Sequence, residues 1–290
     1  MIHLRDMQLH RTSVLPVLLL LCATATLTSC KKTPGCTNPD AINYNEEARK
    51  DDASCIEVMS ARQVLFLENT ATWSGPCGSW GAKAFDDAIR KQVDRVLPIS
   101  IHSSATDPMF NAIAQAFADN FGMSDFPSFT IGNVSKGLDT TIGSDVSTYI
   151  AQPIEANTIM LLSKSTTTWE VKVQVRFFKS GNGEYYLGIY LTEDDIDGSP
   201  GAGDYAQNGG EADYTHDRVL RASASGQPWG ELISSGSTSE GTVVSRTYNI
   251  TIDGSWNASN LNIYSVVWKR SAGKYEYVNA SSEVEEMIVN

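Results

Sequence analysis

Val64-Leu65-Phe66-Leu67-Glu68-Asn69-Thr70-Ala71-Thr72-Trp73-Ser74-Gly75-Pro76-Cys77 is the stretch that decides the fold of this 290-residue chain. Its four leading apolar residues suit a buried central strand. Pro76 fits the first turn of a helix, where its missing N–H costs nothing. Beyond it Trp80, Ala84, Phe85, Ala88, Ile89 and Val93 recur at spacings of three and four and give one apolar helix face. A strand therefore runs into a helix through a Trp-Ser-Gly-Pro-Cys turn.

Outward from that turn, Val96 to Ile101 reads as a second strand, and Asp107-Pro108 caps a helix whose buried side carries Met109, Phe110, Ile113, Phe117 and Phe121 and which Gly122 ends. Phe126-Pro127-Ser128-Phe129-Thr130-Ile131 is a strand entered through a proline, and Ser144 to Ile154 is a closing helix with Pro153 at its end. Taken in this order, the elements resemble a thioredoxin-like fold. The resemblance implies that Pro127 is a cis-proline facing the turn and that Trp73, Ser74, Gly75, Pro76 and Cys77 are a degenerate redox motif. In that family the thiol nearer the helix start is the nucleophile, because the positive end of the helix stabilises its thiolate. Here that position is Ser74, a far weaker acid that forms no disulfide. The dithiol cycle is closed to Ser74 and Cys77.

The second half changes period. Trp169, Val171, Val173, Val175 and Phe177 alternate with polar residues, the turn Ser180-Gly181-Asn182-Gly183 follows, and Tyr185 to Leu191 returns as a hairpin. His216 to Ala222, Val243 to Ile252, Leu261 to Trp268 and Tyr275 to Val278 are further strands, as in a sandwich. The expected fold is an α/β thioredoxin-like domain followed by an all-β sandwich-like domain. A long loop, Glu193 to Asp213, is rich in glycine and acid; Asp194, Asp195 and Asp197 are its candidate calcium ligands, against the plainer reading of a solvated excursion.

Composition narrows the function. A net charge of -12 and the absence of basic stripes exclude a nucleic-acid binder. Arg5 and Arg11, the apolar run Val14 to Cys22 and Leu27-Thr28-Ser29-Cys30 read as a secretory signal, and the last four residues resemble a bacterial lipobox, which implies lipidation at Cys30. The apolar run is short for a bilayer span. Once Cys22 leaves with the signal and Cys30 carries lipid, Cys36, Cys55 and Cys77 make one pair and one spare thiol. Gly35-Cys36-Thr37, Asn43-Tyr44-Asn45 and Asp51-Asp52-Ala53-Ser54-Cys55 resemble a short cysteine motif of Bacteroidota surface proteins. That resemblance implies a Cys36–Cys55 bridge, with Ala53 where the motif has glycine. The expected division is residues 1–29 signal peptide, 30–60 linker with the bridged motif, 61–157 thioredoxin-like domain and 158–290 β-sandwich domain.

The lipobox, the Glu68 to Cys77 block, Ile101-His102, Tyr190-Leu191-Thr192-Glu193-Asp194 and Tyr214 to Arg221 together resemble the Omp28-related outer-membrane lipoproteins of Bacteroidota, over about residues 60–286. Members carry two cysteines in the N-terminal block, and this chain keeps only Cys77. The expected function is a non-catalytic binding, adhesion or receptor-type lipoprotein of the cell envelope, held to the membrane by its N-terminal lipid and recognising a protein or glycan ligand. The alternative is a thiol-disulfide oxidoreductase or thiol-dependent chaperone acting through Cys77, with His102 or Asp125 assisting proton transfer. His216, Arg218 and Arg221 are candidate ligand contacts, each more simply a structural residue. Trp229, Trp256 and Trp268 are candidate glycan-stacking residues, more simply core aromatics.

Overall fold

A computed structural model describes residues 32–136, 142–282 and 284–286. The expected signal segment 1–29 and lipidation residue Cys30 lie outside them.

The chain enters through a small module with little core of its own. Two-residue strands β1 (Pro34–Gly35) and β2 (Lys50–Asp51) pair in parallel. The Cys36–Cys55 disulfide closes the module, with the two Cα atoms 4.7 Å apart. Asn43 pins its far end, accepting the Ile56 N–H at 2.8 Å and donating to the Ser54 carbonyl at 2.5 Å. Ala53 takes φ +63°, left-handed backbone that glycine adopts more readily, which accounts for glycine being usual at this point of the motif.

Strand β3 (Val64–Thr70) is buried at all seven positions, as its apolar run requires. It leads through a π-helical turn, Cys77–Gly81, into α1 (Ala82–Arg90), followed by β4 (Val96–His102), α2 (Ala112–Phe121), β5 (Ser128–Ile131), β6 (Val134–Lys136) and α3 (Ile142–Ile150). Three expectations need correction. Helix α1 stops at Arg90, leaving Val93 61 % exposed, and Trp80 is 50 % exposed, so the inward face is Phe85, Ala88 and Ile89. Helix α2 is capped by Asn111, whose Oδ1 accepts the Ala114 N–H at 2.8 Å, and Asp107 is employed elsewhere. The closing helix ends at Ile150 rather than Ile154. Gly122 does end α2, at φ +67°.

Beyond α3 the chain is extended: β7 (Ala156–Lys164), β8 (Thr168–Phe177), β9 (Gly181–Glu193), β10 (Ile196–Asp197), β11 (Thr215–His216), β12 (Val219–Ser223), β13 (Glu231–Thr238), β14 (Val243–Thr251), β15 (Leu261–Ser271), β16 (Lys274–Ser281) and β17 (Val284–Glu286). Most residues in elements are therefore in strands, arranged as mixed sheets. A nine-stranded sheet runs β16-β15-β9-β12-β4-β3-β5-β6, with β13 also on β9, and a four-stranded sheet runs β14-β8-β7-β17. The expected boundary at 157/158 is crossed by the large sheet: β12 lies parallel to β4 with Val219 opposite Ser100, and the Ser100 N–H donates to the Arg218 carbonyl at 2.9 Å.

Three packed regions follow from this layering. Between the sheets, Met160, Trp169, Val171, Val173 and Phe177 meet Tyr185, Leu187, Ile189 and Ile263. On the other face of the large sheet, Tyr190, Val266 and Trp268 receive Phe117 and Ala114 of α2. Phe85 of α1 and Val146 of α3 cover Val64, Phe66 and Phe129. Each aromatic in these regions removes a large apolar area from water, at roughly 25 cal/mol per Å².

Candidate functional site at the Trp73–Cys77 turn

Strand β3 delivers Glu68, Asn69 and Thr70 to the edge of the turn, and the chain then folds sharply through Ala71 to Ser74. Ser74 caps the helix: its Oγ accepts the Cys77 N–H at 3.3 Å and donates to the Phe126 carbonyl at 3.1 Å. The Phe126–Pro127 bond is cis, and Pro127 packs on Gly81, where a Cβ would stand 2.8 Å from its Cγ. Trp73 is 48 % exposed and rests on Phe126 with ring centroids 5.1 Å apart. The five motif residues and Pro127 are thus brought together. Cys77 carries a free thiol that is fully buried, and burial pushes its pKa above the ordinary thiol value despite hydrogen bonding to Ser74 and Thr70.

A buried polar cluster lies alongside. His102, at the end of β4, has Nδ1 3.0 Å from Asp107 Oδ1, and Asp107 also accepts the Thr72 N–H at 2.6 Å, the Thr72 hydroxyl at 3.1 Å and the Met109 N–H at 2.8 Å. Burial works to raise the Asp107 pKa, but these donors and the His102 charge outweigh it and hold the carboxyl below its usual value. The His216 ring meets His102 edge-on at 5.7 Å, and its Nε2 donates to the Tyr205 carbonyl at 2.8 Å. Burial pushes the His216 pKa down to about 4. Glu68 is buried with one weak contact, to the Ser100 hydroxyl at 3.4 Å, and burial pushes its carboxyl up to about 8 against the pull of Arg218. Glu68 Oε1 and His102 Nε2 have no hydrogen-bond partner among the described residues. Both residues line a cavity of about 20 Å³, room for one or two waters, together with Thr70, Ser100, Tyr214 and Arg218.

The glycine-rich loop is mostly exposed, yet it is fastened along its length. It crosses the turn, with the Asn208 N–H donating to the Thr72 carbonyl at 2.7 Å and Asn208 Nδ2 to the Trp73 carbonyl at 3.1 Å. The Gln207 amide is buried and donates to the carbonyls of Ala71 at 3.1 Å and Ser74 at 2.9 Å. Backbone meets backbone here: a Cβ at Gly78 would lie 2.4 Å from the Asn208 carbonyl oxygen, and one at Gly209 (φ +75°) 2.6 Å from that of Gly75.

The other candidates fall into place around this. Asp194 spends Oδ1 on the Arg218 N–H and Oδ2 on Asn262, Asp197 accepts the Ser199 N–H, and the Asp195 N–H donates to Asp217. No group of three or more histidine, cysteine or acidic residues that could hold a metal occurs among the described residues. Asp125 is exposed and offers its backbone carbonyl to Asn69 at 3.4 Å. Arg218 pairs with Asp86, its guanidinium 5.6 Å above the Phe85 ring, and Arg221 Nε donates to Glu193 at 2.7 Å. Trp268 is buried and donates from Nε1 to the Tyr190 hydroxyl at 2.7 Å, Trp229 stacks on Tyr275 at 4.4 Å, and Trp256 packs against the inter-sheet core. In the sequence Glu68 stands out only as the first residue of the Glu68 to Cys77 block, although a lone acid in an apolar strand is a signal of its own; no local pattern marks Gln207 and Asn208.

The sequence family described as outer membrane protein Omp28 matches residues 114–284. No curated protein matches. Among solved structures, HBP35 of Porphyromonas gingivalis is similar over 80 % of this chain and 79 % of its own, with a TM-score of 0.64 and 16 % identity, a likeness of fold. A domain of the outer membrane lipoprotein Omp28 from Porphyromonas gingivalis covers 46 % of this chain and 91 % of its own at 16 % identity, with a TM-score of 0.30, too low to bear on the fold.

Proposed function

The chain belongs to the Omp28 family of outer membrane proteins, and from that premise we propose that it is a non-catalytic, lipid-anchored binding or adhesion protein of the envelope, built on a redox-inactive thioredoxin-like scaffold with a β-sandwich that carries the ligand surface. Its place in the cell envelope comes with the family. The anchor in this reading is Cys30, and several acyl chains there would hold the protein far better than one. The ligand is a protein or a glycan.

One observation carries the non-catalytic reading: the only thiol of the turn, Cys77, is buried at the position that follows the nucleophile, while the nucleophile position holds Ser74, whose hydroxyl is bonded to the Phe126 carbonyl. A buried thiol with a raised pKa is a poor nucleophile at neutral pH. The test is insulin reduction by the purified protein, Cys77→Ala and Ser74→Cys. A silent wild type with activity gained in Ser74→Cys is expected, since the turn and Pro127 are in place to support a dithiol. Wild-type turnover abolished by Cys77→Ala would overturn the reading.

A further inference from the structure

We propose that residues 198–214 form a displaceable strap that closes the Trp73–Cys77 face, so that this face meets a partner only when the strap lifts. The strap is tied down by polar contacts at two points. At its crest, Gln207 and Asn208 donate to four successive carbonyls, those of Ala71, Thr72, Trp73 and Ser74. At its base His216 Nε2 donates to the Tyr205 carbonyl at 2.8 Å, while the Gln207 N–H to the Gly198 carbonyl at 2.9 Å and the Gly198 N–H to the Tyr214 carbonyl at 3.0 Å hold the two arms of the strap to each other. It buries little: of residues 198–214 only Gly198 and Gln207 are buried, Tyr214 is half-buried against His216, and Tyr205 is exposed. A segment held by hydrogen bonds with few buried apolar contacts opens at far lower free energy than the whole fold. Gly201, Gly203, Gly209 and Gly210 give its backbone the freedom to swing.

What the strap covers is a continuous polar surface. Lifting it leaves the Thr72 and Trp73 carbonyls without their donors and uncovers those of Ala71 and Ser74, which keep the Ser74 and Gly78 N–H groups, beside the exposed Trp73 ring and one turn from the buried Cys77 thiol. A surface of adjacent acceptors next to an aromatic ring suits a partner peptide segment that brings amide N–H donors, as the Gln207 and Asn208 side-chain amides and the Asn208 N–H do in the strap. The glycines at 78 and 209 show close complementarity, because any side chain at either would strike backbone. The strap is thus a fitted intramolecular occupant of that face.

Cys77 is the reporter for opening. Its alkylation by iodoacetamide, followed on its own peptide by mass spectrometry, is measured in the purified protein, in Gln207→Ala with Asn208→Ala, and in Gly78→Ala, which drives a methyl into the Asn208 carbonyl from the opposite side. The expected result is a wild-type rate that stays flat through low urea, as for local opening, and rises by about tenfold or more in each variant, since the double alanine variant deletes three side-chain hydrogen bonds to the turn and Gly78→Ala adds a clash with the Asn208 carbonyl. A wild-type rate that climbs with urea from the start, with the full dependence of global unfolding, overturns the proposal, as does a rate unchanged in both folded variants. Insulin reduction run in parallel separates this from the non-catalytic reading: a variant that labels fast without reducing insulin supports both, and one that reduces insulin supports the strap while overturning the other.

Discussion

Replacing Glu68 with glutamine should make the protein more stable in mild alkali. Glu68 sits in the fully buried β3, and its carboxyl titrates at about 8 in the folded chain against 4.5 ordinarily, because burial penalises the charge more than Arg218 relieves it. A group with a raised folded pKa stabilises fully below its unfolded value, and that contribution drains away as pH rises through the folded one. Each pH unit inside the window is worth about 1.4 kcal/mol, so the full span from 4.5 to 8 is on the order of 5 kcal/mol as an upper figure. His216 runs the other way: with its pKa lowered from 6.5 to about 4, its contribution is present above 6.5 and lost as pH falls toward 4. The two slopes cancel between pH 4.5 and 6.5, and Glu68 alone acts above. Wild-type unfolding free energy from urea titration should therefore fall by about 2 kcal/mol between pH 6.5 and 8, while Glu68→Gln, which keeps the shape without the ionisation, stays level over that interval. Parallel slopes for the two proteins from pH 6.5 to 8 would refute the assignment of a buried neutral carboxyl.

Two more outcomes follow from packing and covalent closure, besides those for insulin reduction and Cys77 labelling. Gly81→Ala puts a Cβ 2.8 Å from Pro127 Cγ and 3.0 Å from its Cβ, so overpacking should cost about 1–3 kcal/mol, read as a lowered thermal midpoint with unchanged far-UV dichroism. Cys36→Ser should remove about 3 kcal/mol of loop-closure stabilisation from the N-terminal module alone; limited proteolysis should then cut between residues 36 and 55 while the sheets remain protected.

Strongly patterned segments were legible in the sequence. The apolar run Val64 to Leu67 and the alternation Trp169 to Phe177 each became strands because burial on two faces or on one leaves a period that can be read directly. The left-handed turn after Phe121 was likewise legible from Gly122. Strands β7 and β13 were not singled out: Ala156–Lys164 sits where a domain boundary was expected, and Glu231–Thr238 is a run of serines, glycine and threonine that pairs because Gly181–Glu193 is long enough to receive it. Asp107 shows how a correct local signal can mislead. Aspartate before proline is a good helix cap, yet here the acid fixes the backbone of Thr72, a residue 35 positions away. The strap is the extreme case, since Gln207 and Asn208 owe their role to carbonyls 133 to 136 positions earlier. A contact made through main-chain acceptors leaves no mark on the side chains of the segment it binds.

The pairing of β12 with β4 has a consequence for anyone dissecting the molecule. A chain cut between residues 157 and 158 would take β12 from the side of β4 that β3 does not cover, break the Ser100–Arg218 bond and open that edge to water, in a strand whose side chains are almost all buried. Such a fragment would be prone to polymerise rather than stand alone, and its partner fragment would expose the matching rim of β12. Protein made for binding work should therefore keep both halves in one polypeptide, and a nick in the connecting backbone should leave the two pieces clasped together through a size-exclusion column.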